Sequence, residues 1–225
     1  LAYARFEGRS DDMARIAYET AAQFSPQHLI AAIGPTGLPL DPTSAVSLKQ
    51  SKKQYHDAVL ALTQYPFDAL YFTGFKNLDD AQCALMGARA VYDGPVFISL
   101  APNGEGMFPG GRTLSEGVAL CDEYGADVIG VVSDAPAHVL VGFAKEMASA
   151  TDKPLLVDAS VRRKDRRQFE PTDENPYPTA DAVVELAVRL RAQGVQFLRA
   201  SGAATPAYTG ALLATVGGGD VVAPQ

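Results

Sequence analysis

The chain has 225 residues, of which 47% are hydrophobic, and its formal net charge is −7. This composition is typical of one globular domain with a large apolar core, and the acidic balance argues against a nucleic-acid partner. No apolar run approaches the roughly 18 residues that a membrane span needs. The two cysteines both fall inside predicted helices, so we expect no disulfide framework and a cytoplasmic protein without membrane contact.

Six short apolar runs recur along the chain, and each predicts a strand that is covered on both faces, as in a parallel sheet. The runs are residues 29–34, 69–74, 96–101, 128–133, 155–160 and 197–202. Amphipathic patterns between them predict helices, among them 10–24, 51–65, 137–149 and 180–193. Capping signals predict where helices begin, and they are Asn77, the capping box T-L-S-E at 113–116, Thr179 and Thr205. Gly194 is expected to end the helix over 180–193.

This alternation of strands and helices indicates an α/β fold with a parallel sheet, either a barrel or an open doubly wound sheet. A dinucleotide-binding loop does not follow the first strand, because "IGPTGLP" (33–39) carries prolines where such a loop needs a helix start. A (β/α)8 barrel typically has about 250 residues. Six units fill almost the whole chain, so the barrel looks two strands short.

Six segments carry motifs of one known barrel family. They are "AAIGPTG" (31–37), residues 55–85, "GPVFISLAPNGEGMFPGGRTLSEG" (94–117), "GADVIGVVSDAPAHVL" (125–140), "KPLLVDAS" (153–160) and "ASGAATPAYTGAL" (200–212). Their order and spacing resemble the homocysteine S-methyltransferase family, in particular the homocysteine-binding barrel of cobalamin-dependent methionine synthase. The resemblance implies a (β/α)8 TIM barrel over residues 1–215, holding strands three to eight of the family. Residues 216–225 are expected to be a flexible tail or linker.

The resemblance also implies where a zinc ion would be held, by one cysteine that closes the sixth strand and a pair after the eighth. The matching positions here are Ser133, Ser201 and Gly202. The glutamate that ends the family's fourth strand becomes Thr73 or Gly74. Zinc in such a site prefers anionic sulfur, and a neutral serine hydroxyl is a poor ligand. We therefore expect no metal and no zinc-dependent methylation of homocysteine.

The carboxyl ends of the strands meet at one rim in a barrel, and this rim is the expected site. The candidate catalytic residue is Asp158, either as a general base or, structurally, as a helix cap or in a salt bridge with the cluster Arg162–Arg167. Asp134 is either catalytic or an anion that stabilises a helix N-terminus. The candidate substrate-binding residues are Thr36, Thr73, Asn103, Ser133, Asp134, Ser201 and Gly202. The long loop 160–178 is expected to lie over the mouth, as a lid or as an interaction surface.

The sequence is compatible with three functions. The first is a methyltransferase-like barrel without zinc, which binds no cofactor directly and acts on a small, non-thiol methyl donor or acceptor. As the resemblance implies, a corrinoid on a partner or fused domain would carry the methyl group. The second is a catalytically silent scaffold or regulatory barrel. The third is an enzyme that binds a phosphate or carboxylate at the turn "SGAAT" (201–205), where a helix begins. Whether the chain is an enzyme is therefore left open.

Overall fold

The computed structural model describes residues 9–163 and 167–216. The chain divides into two compact units. Unit 1 comprises Leu1–Leu100 and Ala119–Val128, and unit 2 comprises Ala101–Val118 and Ile129–Gln225. The helices in the described ranges are all too short or too polar to cross a membrane.

Unit 1 begins with three strand-and-helix pairs. In chain order they are α1 (Ser10–Ala22), β1 (Ile30–Ile33), α2 (Ala45–Leu62), β2 (Ala69–Phe75), α3 (Leu78–Arg89) and β3 (Val96–Leu100). Strand β2 pairs in parallel with both β1 and β3. The rings of Tyr55, Phe72 and Phe75 pack with centroids 5.9–6.2 Å apart. Helices α2 and α3 approach closely at Gly87, where a Cβ atom would lie 2.6 Å from the carbonyl oxygen of Lys52.

The later elements are α4 (Leu114–Glu123), β4 (Val128–Ser133), α5 (Ala137–Ala150), β5 (Leu155–Val161), α6 (Ala180–Ala192), β6 (Phe197–Gly202) and α7 (Pro206–Val216). In unit 2, β5 pairs in parallel with β4 on one side and with β6 on the other. One face of β5 and β6 packs against apolar side chains of α6. Val157, Ala159 and Leu198 line a small cavity together with Val183, Leu186, Ala187 and Leu190.

The α/β fold is confirmed as that of a (β/α)8 barrel with six of the eight strands. The strand order follows the chain from β1 to β6, and each predicted strand agrees with its observed counterpart to within one residue at either end. The predicted tail 216–225 starts at the last residue of α7 and otherwise lies outside the described residues. It stays a prediction.

Most predicted helix ends are confirmed, because capping depends on local side chains. Asn77 accepts a hydrogen bond from the Asp79 backbone N–H at 2.8 Å. In the capping box, Thr113 and Glu116 exchange hydrogen bonds with each other's backbone N–H at 2.6 and 3.2 Å. Gly194 follows α6 with φ +84°, a conformation that favours glycine.

One helix start and one capping hydrogen bond differ from prediction. Helix α2 begins at Ala45 and not at residue 51, because the Ser44 side chain caps it by accepting a bond from the Ser47 N–H. Thr179 does occupy the N-cap position of α6, but its side chain makes no capping hydrogen bond. The start of α2 was missed because the segment before Lys52 lacks a clear apolar stripe.

Candidate functional site

A polar face on β5 and β6 is the main chemical feature of unit 2. Asp158 and Arg199 are partners in the strand register, and so are Ser160 and Ser201. Because alternate residues of a strand point to the same side, these four lie on one face, opposite the face that α6 covers. Asp158 is fully buried, and its Oδ2 accepts a hydrogen bond from Arg199 Nη1 at 2.8 Å.

The structure places Asp158 differently from the sequence prediction. It is the fourth of seven residues in β5 and not near the strand end. A salt bridge of Asp158 exists, and it joins the carboxylate to Arg199 on the next strand. The side chain of Arg199 remains 44% exposed, so the pair joins a buried carboxylate to a guanidinium that solvent reaches.

Ser133 is the last residue of β4, and Asp134 follows it directly. Asp134 Oδ2 lies 2.6 Å from Arg162 Nε, and this bond raises the pKa of the Arg162 guanidinium above its usual value. The Ser133 hydroxyl accepts a hydrogen bond from the Ala135 N–H at 3.1 Å. The Ser133 side chain therefore stabilises the turn between β4 and α5, and Asp134 links this turn to the loop after β5. The Asp134–Arg162 pair joins residues 28 positions apart, and no local signal predicts it.

Gly202 ends β6 in a conformation that leaves no room for a side chain. Its φ is +69°, and a Cβ atom there would lie 2.5 Å from the Val161 carbonyl oxygen and 3.2 Å from Ser160 Oγ. The backbone of the following turn is also occupied, since Ala203 N–H donates to Val161 O at 2.8 Å and Ala204 N–H donates to Ser201 O at 3.2 Å. Two donors of the predicted anion cradle at 201–205 are thus already in use, which disfavours phosphate binding there.

Part of the loop 160–178 is packed against other segments of unit 2. Tyr177 is 1% exposed, and its hydroxyl donates to the Ala135 carbonyl oxygen at 2.8 Å. The hydroxyl of Tyr208, on α7, donates in turn to the Tyr177 carbonyl oxygen at 2.9 Å. These bonds anchor the end of the loop to the segment after β4, so a lid would have to move in the residues before Tyr177.

Thr73 in unit 1 belongs to a hydroxyl cluster that the sequence did not reveal. Its Oγ1 accepts a hydrogen bond from Ser99 Oγ at 3.2 Å, and the Tyr71 hydroxyl donates to the same Ser99 oxygen at 2.8 Å. Ser99 is fully buried on β3. The residue was overlooked because a serine inside an apolar strand carries no motif.

Thr36 is held beside α2 by its backbone. The Thr36 N–H donates to the Tyr55 hydroxyl at 3.1 Å, and this hydroxyl donates to Asp80 Oδ1 at 3.0 Å. Burial raises the pKa of Asp80 and that of Tyr55. The chain of bonds fixes the loop after β1 to both α2 and α3.

Asn103 is an exposed loop residue in unit 2. Its Oδ1 accepts hydrogen bonds from the Glu105 and Met107 N–H groups at 3.0 and 2.9 Å. The side chain thus shapes its own loop. The structure brings Asp158 and Ser201 together on one face, and Ser133 and Asp134 in one turn, while Thr36 and Thr73 lie in the other unit.

Both cysteines are buried in helices. Burial raises the thiol pKa of Cys83 above its usual value and raises that of Cys121 to about 12. Across 9–163 and 167–216, no group of three histidine, cysteine or acidic residues is arranged to hold a metal ion.

We expect both thiols to resist modification in the native protein. A thiolate forms only as the pH approaches the pKa, and burial also blocks the reagent. At pH 8 a disulfide reagent should label neither cysteine quickly, and both should react once urea unfolds the chain. Rapid labelling of the folded protein at either position would contradict this.

Comparison with known proteins decides the family. The sequence model described as homocysteine S-methyltransferase matches residues 4–218. The chain belongs to the homocysteine S-methyltransferase family. None of the curated proteins compared with it matches significantly.

Solved structures show the fold that this homocysteine S-methyltransferase family member shares. The apo form of the homocysteine methyltransferase MmuM from Escherichia coli is 18% identical, with a TM-score of 0.68 over 96% of this chain and 75% of that one. The metallated form of the same protein is 19% identical, with a TM-score of 0.67 over 92% of this chain and 69% of that one. The carboxyl transferase domain of Rhizobium etli pyruvate carboxylase is 13% identical, with a TM-score of 0.50 over 77% of this chain and 27% of that one.

The residues present do not fit the zinc ion that the family resemblance implies. The three matching positions offer two hydroxyl groups and one hydrogen atom, and Ser133 already uses its oxygen within its turn. Hydroxyl oxygen is a weak ligand for Zn²⁺ compared with thiolate sulfur. Gly202 adds a steric obstacle, since no ligand side chain fits its backbone as it stands.

Proposed function

We propose that this chain is a member of the methyltransferase family that acts on a small molecule without a zinc-bound thiolate. Family membership supports methyl transfer as the reaction class. The observation that carries the zinc-independent part is Gly202, where the Cβ of any ligand residue would collide with Val161 O at 2.5 Å. At Ser133 or Ser201, a substitution by cysteine could restore a thiolate. At Gly202, the backbone of the paired strand β5 leaves no room for a side chain.

The chemistry of the substrate follows from this loss. A free thiol has a pKa of about 8.5, so little of it is the nucleophilic thiolate at neutral pH unless a metal or a cation ionises it. Without zinc, a thiol such as homocysteine would be a poor acceptor. We therefore propose a methyl donor or acceptor that needs no thiolate activation.

The polar face of β5 and β6 is the proposed substrate site in unit 2. Arg199 is the cation of this face, and a guanidinium favours a carboxylate or another anionic group because it presents paired N–H donors. Ser160 and Ser201 add hydroxyl groups on the same face. Asp158 was predicted as catalytic, and its buried ion pair supports a positioning role in which it orients Arg199.

The proposed reaction also needs a partner that carries the methyl group. A corrinoid on a partner protein or a further domain would carry the methyl group, and the support for it is the resemblance to the barrel of cobalamin-dependent methionine synthase. A reducing compartment such as the cytoplasm agrees with two buried, unbridged cysteines.

Metal content and homocysteine binding test the proposed function. The purified chain would be incubated with excess zinc, dialysed, and measured by mass spectrometry of the metal, with MmuM from Escherichia coli treated identically as a control for metal loading. We expect far less than one zinc per chain and no effect of zinc on homocysteine binding by calorimetry. One tightly held zinc per chain, or zinc-dependent binding of homocysteine, would overturn the proposal. A folded protein that retains Arg199 but binds no small carboxylate would favour the silent scaffold.

A further inference from the structure

A second potential binding site lies in unit 1. A cavity of about 330 Å³ opens between the loop after β1 and helix α2. Its volume is within the range of small-molecule sites, which begins at about 300 Å³. It also lies beyond the carboxyl end of β1, the side on which parallel α/β folds bind ligands.

One wall of this cavity is a stripe of uncharged polar side chains. Ser47, Gln50, Ser51 and Gln54 follow the spacing i, i+3, i+4 and i+7, which places them on one face of α2. Leu38, Pro39 and Leu40 of the loop form the opposite, apolar wall. Within the described part of the chain, the two glutamine amides make no hydrogen bond to other protein groups. Their donors and acceptors can therefore bind a ligand.

A second cavity, of about 290 Å³, shares two lining residues with the first. Thr36 and Gln54 border both. Most of the other lining side chains of the second cavity are apolar, and they include Met13, Ala17, Ile33, Ala58 and Leu62. The first cavity, with its polar wall, therefore adjoins the mainly apolar second cavity at Thr36 and Gln54.

No charged side chain lines either cavity among the described residues. Burying an ion without a partner is costly, whereas an uncharged polar group needs only hydrogen bonds. The acid Asp80 accepts a hydrogen bond from Ser51 Oγ at 3.2 Å, behind the polar wall.

The polar wall is also held in place before any ligand binds. The Tyr55 hydroxyl accepts from the Thr36 N–H and donates to Asp80 Oδ1, which Ser51 also contacts. The loop and the helix face are therefore linked through shared partners. Such pre-organisation lowers the entropic cost of binding.

We propose that the two cavities form one site for an uncharged molecule that joins a carboxamide or hydroxyl head to an apolar body. The head binds Gln50, Gln54 and the neighbouring hydroxyl groups. The body lies against the apolar residues of the second cavity. This site is independent of the zinc question and of the proposed substrate face in unit 2.

Four fragments with the same ring test the chemical class. Benzamide and benzyl alcohol carry the two neutral heads, benzoate is the anion and benzylamine the cation. In NMR titrations of the full chain, we expect at least one neutral fragment to bind about tenfold or more tightly than benzoate and benzylamine, because neither cavity compensates a charge. Failure of both neutral fragments to saturate, or equal or tighter binding of a charged one, would overturn the proposal.

Substitutions locate the site. Changing Gln50→Leu and Gln54→Leu together should weaken binding of the neutral fragment at least about tenfold, since both amide partners are lost. Gln64→Leu, on an exposed glutamine outside both cavities, should leave it unchanged. Circular dichroism checks folding, and if the double variant unfolds, Gln50→Ala on an exposed helix position replaces it. Unchanged affinity in a folded Gln50 or Gln54 variant would rule the site out.

Discussion

Replacing Arg199 by methionine should destabilise the protein by about 3 kcal/mol, because it removes the guanidinium that forms an ion pair with the buried Asp158 carboxylate. Asp158 is fully buried and lies 2.8 Å from the guanidinium. The cost arises because a carboxylate that folding removes from water loses an ion-pair partner. Urea unfolding monitored by circular dichroism measures it as a lower midpoint with an unchanged slope.

Two further variants separate this effect from loss of packing. The double variant with Asp158→Asn and Arg199→Met removes both charges and should recover most of the lost stability. Arg189→Met breaks an exposed pair with Glu185, whose atoms are 4.0 Å apart, and should cost no more than about 1 kcal/mol. Equal costs for the Arg199 and Arg189 variants would show that Asp158 does not depend on Arg199.

Gly202→Cys should also destabilise the protein strongly, by about 3 kcal/mol, from an unfavourable positive φ together with overpacking. The new Cβ would lie 2.5 Å from the backbone oxygen of Val161. The strands must shift to admit it, and this disturbs the end of the β5–β6 pair. Thermal and urea unfolding measure the loss.

The triple variant with Ser133→Cys, Ser201→Cys and Gly202→Cys extends this test to metal binding. It places thiolates at all three family positions, but we expect no stoichiometric zinc, because the backbone at residue 202 cannot present a ligand without strain. Gly142→Ala is the matched control. Gly142 lies in α5 with open space around it, so the change should be neutral or stabilising by up to about 1 kcal/mol. A triple variant with native stability and one bound zinc would show that the backbone at residue 202 can present a zinc ligand.

The fold could be predicted from the sequence because its signals are local. Each strand is a short apolar run bounded by small residues, and each confirmed cap involves residues at most three positions apart, such as Thr113 and Glu116. The start of α2 was missed for the complementary reason. Ser44 caps a first turn that is largely polar and exposed, so periodicity does not mark it.

The candidate site could be predicted only in part. The sequence named Asp158, Asp134 and Ser201, because polar residues in or after apolar strands stand out. It did not pair Asp158 with Arg199, 41 residues later, or Asp134 with Arg162. These pairs depend on strand register and loop path, which bring distant residues together.

By itself, the sequence determined the order of strands and helices, the family resemblance and the absence of cysteine at the three family positions. Only the tertiary structure decided that the buried Asp158 is neutralised by Arg199 and that residue 202 must lack a side chain. It also decided that the polar stripe of α2 borders a cavity. The physical reason is range: hydrophobic periodicity and capping act within a few residues, whereas charge pairing, steric exclusion and cavities arise between segments that only folding brings together.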